Sequence, residues 1–247
     1  MNRNEILNEN NFRLDGRLPL ELRNFKINFH RNYVEFSHGL TSLRCSINGP
    51  KSSLKYNEKS NLIVNVSMND WLNSFNVSNR KRSKFNKTLN DLSQSIKSTF
   101  NSVILFHNFQ NSVIEINLHI INLDGSLLQT SINATTLALA SSGVPLLDYV
   151  CACSAAIYNQ SILLDLNNVE ESDCPNATLA VLPNSNKIAY LSLETRLHLD
   201  RFHHLYNLTI EASKILRQEF SSIIYSDSQS LQSDLSRNSN INLINDT

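Results

Sequence analysis

At 247 residues the chain has room for one large domain or two small ones, and 22 basic residues balance 22 acidic ones to a net charge of zero. That neutrality excludes a polycation that grips nucleic acid by bulk charge, and 41% hydrophobic with 18% charged residues excludes a disordered chain. No stretch reaches the roughly 18–20 uncharged apolar residues of a membrane span, and the polar start Met1-Asn2-Arg3-Asn4-Glu5 leads into no apolar signal segment.

In chain order, alternation by two predicts the first strands. Leu43, Cys45 and Ile47 face away from Ser42, Arg44 and Ser46, and Leu62, Val64, Val66 and Met68 repeat the pattern. Leu89, Leu92, Ile96, Phe100, Val103 and Ile104 then follow helical spacing, which predicts an amphipathic helix over about 86–106. Ile114, Ile116, Leu118 and Ile120, interleaved with Glu115, Asn117 and His119, return to strand period. From Leu127 to Ser142 apolar residues run nearly all round, with Ala134, Ala138 and Ala140 giving small contacts; this predicts a central helix buried on several sides and stopped by Gly143 and Pro145. Strands follow at Cys151–Ile157, Leu179–Val181 and Ala189–Leu193, the last two joined by the turn residues Pro183-Asn184-Ser185-Asn186. Phe202, Leu205, Ala212, Leu216, Phe220 and Ile223 predict a final helix over about 200–225, and the Ser, Asp, Gln and Asn beyond Tyr225 predict a solvated or loosely ordered tail, 226–247. The fold class is α+β with mixed sheets covered by helices; strands precede helix in both halves, about 10–145 and 146–225, which suggests a duplicated unit in one body spanning 1–225.

Chemistry is first limited by what is missing. The five glycines (16, 39, 49, 125 and 143) form no GxG, so the dinucleotide fingerprint, the P-loop and the GxSxG nucleophile elbow are absent. Cys45, Cys151, Cys153 and Cys174 form no CxxC pair and read as reduced cysteines of a cytosolic or nuclear protein. The glycosylation-type tripeptides at Asn65 and Asn133 carry no content without a secretory route. None of the seven histidines has metal-ligand spacing, so no metal is expected. Asp165, Glu170, Glu171 and Asp173 could bind Mg²⁺ or act as acid, but their spacing favours a charged turn between two strands. The run Arg80-Lys81-Arg82-Ser83-Lys84-Phe85-Asn86-Lys87, placed on a loop before the first helix, reads equally as a solvated loop or as a patch that contacts nucleic-acid phosphates.

Several motifs together resemble a known family. Phe12-Arg13-Leu14-Asp15-Gly16-Arg17 with Glu21-Leu22-Arg23 resembles the LDGR motif of RNase PH-like proteins. Glu35 to Thr41 with Asn48-Gly49-Pro50 is similar to that family's first strand pair and Gly-Pro turn; Asp124-Gly125 and Ala138 to Pro145 are similar to the two ends of its central helix. Asp148 to Ala155, Leu164-Asp165-Leu166, Glu170-Glu171 and Thr195-Arg196-Leu197-His198 resemble the eukaryotic RNA exosome core subunits of the superkiller/rRNA-processing type, counterparts of the catalytic archaeal ring subunit. The resemblance spans about residues 10–220 in consistent order.

This resemblance implies an RNase PH-like fold, a duplicated βαβ-containing unit, and a place in a six-membered ring of RNase PH-like chains around an RNA channel. It further implies S1/KH cap proteins on one face, an associated hydrolytic nuclease on the other, no cofactor, and a nuclear, nucleolar and cytoplasmic location. Active members hold phosphate with a Gly-Thr-Arg segment where this chain has Ser126-Leu127-Leu128, and neither leucine can donate a hydrogen bond or carry charge. Of the family's acidic pair, Glu171 matches the first position and Ala177 stands at the second. The expectation is a catalytically silent subunit. Arg80, Lys81, Arg82, Lys84 and Lys87 map onto the loop that in relatives touches single-stranded RNA, although Lys87-Thr88 lies where active members have two arginines. The rival readings are an active phosphate-dependent 3′-to-5′ exoribonuclease and a stand-alone single-stranded RNA-binding module.

Overall fold

Strand alternation builds two separate sheets, seen in a computed structural model that describes residues 6–8, 12–52, 61–68, 79–108, 111–158, 161–193 and 197–245, without side chains at 61, 79–86 and 234–245. The first sheet contains β1 (Phe25–Phe29), β2 (Val34–His38), β3 (Thr41–Ser52), β4 (Asn61–Met68) and β5 (Ser112–Asn122), in the order β1-β2-β3-β5-β4. Its neighbours are antiparallel except β4 and β5, which run parallel because helix α1 (Asn79–Asn101) carries the chain back between them. The second sheet contains β6 (Cys151–Tyr158), β7 (Ser161–Leu164), β8 (Asn176–Leu182) and β9 (Lys187–Leu193), ordered β7-β6-β8-β9 and antiparallel at every described pair. Among the described residues a parallel βαβ crossover therefore exists only in the first sheet, while the short helix α3 (Asn168–Asp173) links β7 to β8.

Helix α2 (Leu127–Ser141) packs on β2 and β3 of one sheet and on β6 and β8 of the other, and residues 129–139 are buried without a break. The expected burial on several sides is present, but the lining is half polar. Thr130, Thr135 and Thr136 bond their hydroxyls to carbonyls one turn back. Gln129 and Asn133 do more. Strand β7 pairs only with Ala155–Tyr158 of β6, so the start of β6 would leave backbone groups open on that side. Asn133 fills the gap by donating to Ala152 O at 3.0 Å and accepting from Ala152 N at 2.8 Å, and Gln129 Oε1 accepts from Ser154 N at 2.9 Å. Past the helix, Gly143 at φ +74 donates to Ala140 O while Val144 N reaches Leu139 O, a left-handed stop of the expected kind.

Three boundaries differ from the sequence reading. Helix α1 begins at Asn79, so the basic run lies on the helix and not on a loop before it. Lysine and arginine are good helix formers, and an opening whose one apolar residue is Phe85 carries no periodicity to reveal it. The same helix stops at Asn101, because Ile104 leaves it to bridge Leu146 as an isolated antiparallel pair. At the other end, α4 runs from Leu199 to Asn245, well beyond Tyr225. The residues from Ser226 to Ser233 are largely solvated, as composition implied, yet helical: Ser226, Ser228 and Ser230 donate their hydroxyls to carbonyls three residues back.

Candidate functional site

Ser126 heads α2 with a left-handed backbone, φ 49° and ψ 38°. Its hydroxyl does not cap the helix; it turns to Ser154 Oγ and Leu166 O, both at 2.7 Å. The Ser126 N–H instead donates to Glu171 Oε2 at 2.9 Å. A carboxylate at this point also meets the positive end of the helix dipole. The preceding loop is fixed by Thr41, whose Oγ1 accepts from Asp124 N and donates to Gly125 O, each at 2.9 Å. Gly125 sits at φ +75, and a Cβ there would lie 2.5 Å from the Asn167 carbonyl carbon, so the α2 and α3 loops touch backbone to backbone. Leu127 and Leu128 are half-buried and pack against the main core.

The acidic segment does join two strands, β7 and β8, with Glu171 and Asp173 exposed on it, but its other two acids do not face solvent. Asp165 and Glu170 are fully buried. The physical reason lies 140–160 residues upstream, where the LDGR segment supplies the countercharges. Arg23 reaches Asp165 with its backbone N–H at 2.6 Å, Nε at 3.0 Å and Nη2 at 2.8 Å, and donates Nη1 to Asp124 O at 3.0 Å. His38 Nε2 approaches Asp165 Oδ2 to 3.1 Å, close enough to pair by charge although not aligned for a hydrogen bond. Burial alone would raise the Asp165 carboxyl, but His38 and Arg23 hold it well below the usual carboxylate range. Arg13 donates to the carbonyls of Pro19, Leu164 and Asp165 and lies 3.5 Å from Glu170 Oε2. Arg17 donates to Asp15 Oδ2 and Asp165 O, both at 3.2 Å. Glu170 also closes a reciprocal cap with Asn167, whose N–H donates to Glu170 Oε2 at 3.0 Å while Oδ1 accepts from Glu170 N at 2.9 Å.

Of the residues named from sequence, Ser126, Leu127, Leu128 and Glu171 come together at the head of α2. Ala177 does not: it is buried in the apolar cluster with Cys153, Leu205 and Ala212. The β8 side chain that turns toward α3 is its neighbour Asn176, whose Nδ2 donates to Glu171 O at 2.8 Å. Period-two alternation across Asn176-Ala177-Thr178-Leu179 is the signal that separates the two faces. The side chains of Arg80, Lys81, Arg82 and Lys84 lie outside the described residues, and Lys87 is exposed on α1. All four cysteines are buried without disulfides; burial pushes the Cys45 thiol up to about 12 and the Cys174 thiol up to about 11, which leaves them poor nucleophiles. Among the described residues no three His, Cys, Asp or Glu side chains converge as a metal-binding group.

Chemically, the Ser126 N–H at the head of α2 is taken by a carboxylate, and the arginines within reach are engaged by Asp15, Asp165, Glu170 and backbone carbonyls.

Comparison with known proteins gives the same organisation. Residues 21–145 match the model of the 3′ exoribonuclease family, domain 1, and residues 148–211 match domain 2 of that family. The chain is 35% identical over 218 residues to the exosome complex component ski6 of Schizosaccharomyces pombe, covering 85% of this chain and 89% of that one. It is 30% identical over 239 residues to the exosome complex component RRP41 homolog of Arabidopsis thaliana, covering 92% and 98%. Among solved structures, rice Rrp46 superposes with a TM-score of 0.73 at 20% identity, covering 86% of this chain and all of that one. The Archaeoglobus fulgidus exosome with RNA bound to the active site superposes with a TM-score of 0.70 at 17% identity, covering 85% and 93%.

Proposed function

The chain belongs to the 3′ exoribonuclease, or RNase PH, family, and from that premise we propose that it is a non-catalytic ring subunit of an RNA exosome. It serves 3′-to-5′ RNA processing and decay by organising the ring and its channel, while an associated nuclease does the cutting. Its partners are other RNase PH-like chains, S1/KH cap proteins, that nuclease, and single-stranded RNA. The relatives named as exosome components support the ring assignment.

The observation that carries the silent reading is the 2.9 Å contact between Ser126 N–H and Glu171. A phosphate dianion arriving at the head of α2 finds a carboxylate already on the Ser126 N–H and two leucine side chains where polar side-chain donors would have to stand. Each preorganised donor lost from such a site costs about 3–4 kcal/mol of transition-state stabilisation. Asn176, a neutral amide, further leaves Glu171 without a second carboxylate from β8.

The test is phosphorolysis. The purified ring, incubated with poly(A) and inorganic phosphate, should release no nucleoside diphosphate above a ring in which this subunit's pocket is mutated; release that depends on this subunit would establish the active enzyme instead. Stoichiometric co-purification with other RNase PH-like chains would remove the stand-alone RNA-binding reading. For the channel, Ala at Arg80, Lys81, Arg82, Lys84 and Lys87 should shorten the protected RNA footprint. If about 3–4 phosphates are engaged, the wild-type log–log salt slope is near −2 to −3. An unchanged footprint and slope would defeat the channel role of α1.

A further inference from the structure

The opposite end of α2 differs in kind. Between its C-terminus, the β1–β2 turn and β3 lies a cavity of about 260 Å³, just under the roughly 300–1,000 Å³ of most small-molecule sites and suited to one small ligand. On its wall the rings of His30 and Tyr33 stand 4.5 Å apart at 31°, a ready-made stack. The His30 side chain remains 44% exposed, so the stack has a surface on which another ring can be laid. Arg44 closes over Tyr33 at 5.3 Å and pairs with Glu35 at 2.7 Å, which neutralises that acid. Arg31 is left as the uncompensated cation: among the described residues it has no ion pair or hydrogen bond. Asn32, Asn48 and Ser141 also line the cavity, and their side chains make no hydrogen bond among the described residues. The floor includes the apolar Ala138.

A flat aromatic surface, one cation and amide groups able both to donate and to accept match a nucleotide, with a base on the stack and a phosphate on the guanidinium. We propose that this cavity binds a single nucleotide, either free or as one unit of a single RNA strand. Only the second source rests on the exosome reading. The base lies against His30, its edge meets the side-chain amides of Asn32 and Asn48, and Arg31 takes the phosphate.

The experiment uses the full-length chain labelled at alanine methyl groups, alone and within its purified ring, with the Ala138 methyl resonance as the reporter. The probes are AMP, UMP, inorganic phosphate and a short single-stranded RNA. AMP or UMP should shift the Ala138 signal saturably. His30→Ala and Arg31→Ala, both at exposed positions that leave the fold intact, should each weaken binding about tenfold. A shift with RNA as well as mononucleotides assigns the site to the strand, whereas a shift with mononucleotides alone assigns it to a free nucleotide; either supports the proposal. No shift with AMP, UMP or RNA overturns it, as does a shift indifferent to both variants, or equal response to inorganic phosphate, which would deny the base a role. Because mononucleotide binding is read on the chain itself, it can fail while ring assembly stands, or stand while assembly fails.

Discussion

The two ends of α2 use similar side chains to opposite effect. At its head, Arg13, Arg17 and Arg23 meet Asp15, Asp165 and Glu170, and Glu171 occupies the first N–H. At its foot, Arg44 answers Glu35 and Arg31 remains unanswered among the described residues. The difference teaches that an arginine-rich patch with a helix end nearby is not thereby a ligand site. What matters is whether the polar groups already satisfy one another. A head whose charges are paired stabilises the fold, although Arg13 Nε, His38 Nε2 and Glu170 Oε1 there make no hydrogen bond, and a foot with a cation to spare is available to something else.

The comparison can be broken by substitution. The largest effect should come from Asp165→Ala, which leaves the buried Arg23 guanidinium facing a cavity; a loss of about 3–5 kcal/mol in urea unfolding is expected. A loss under about 1 kcal/mol would mean that the head contributes little. Gly125→Ala should cost about 2–4 kcal/mol in the same measurement, since it combines a positive φ with backbone overlap against Asn167. Acid sharpens the picture. The Asp165 carboxyl is held below its unfolded value, so its contribution is complete above the ordinary aspartate range, near pH 4, and is lost as pH falls below it. Stability measured from pH 6 down to pH 2 should therefore slope in wild type, and less steeply in Asp165→Asn. Glu171→Gln keeps a hydrogen-bond acceptor but removes the charge at the helix head, and should cost under about 1 kcal/mol. Smallest of all, Arg44→Ala at the foot removes an exposed pair and should shift stability by about 0–1 kcal/mol.

How much of this was legible in the sequence depends on the range of the interaction concerned. Period-two and helical spacing are local, and they located β3, β5, β6, α2 and the β8–β9 turn at Pro183–Asn186. The start of α1 was hidden because its opening residues are polar except for Phe85, and one apolar residue makes no stripe. The burial of Asp165 and Glu170 was hidden for a different reason. Each acid looks solvated among its own neighbours, and only the fold brings Arg13, Arg17 and Arg23 to them across more than 140 positions. Those arginines did stand in the LDGR and Glu-Leu-Arg motifs, but a motif match does not say what a side chain touches. Ala177 turns away from Glu171 where its neighbour Asn176 turns toward it, because in a strand one residue reverses the face.

Chain order gives the Asn133 bridge one more meaning. The bare flank of β6 at Ala152 and Ser154 is the kind of backbone that recruits foreign strands into aggregates. A ribosome delivers residues 127–141 before residues 151–158. The vulnerable ladder thus emerges when the amides that will seal most of it have already been made, and Ser154 O alone waits for a later donor, Asp165 N.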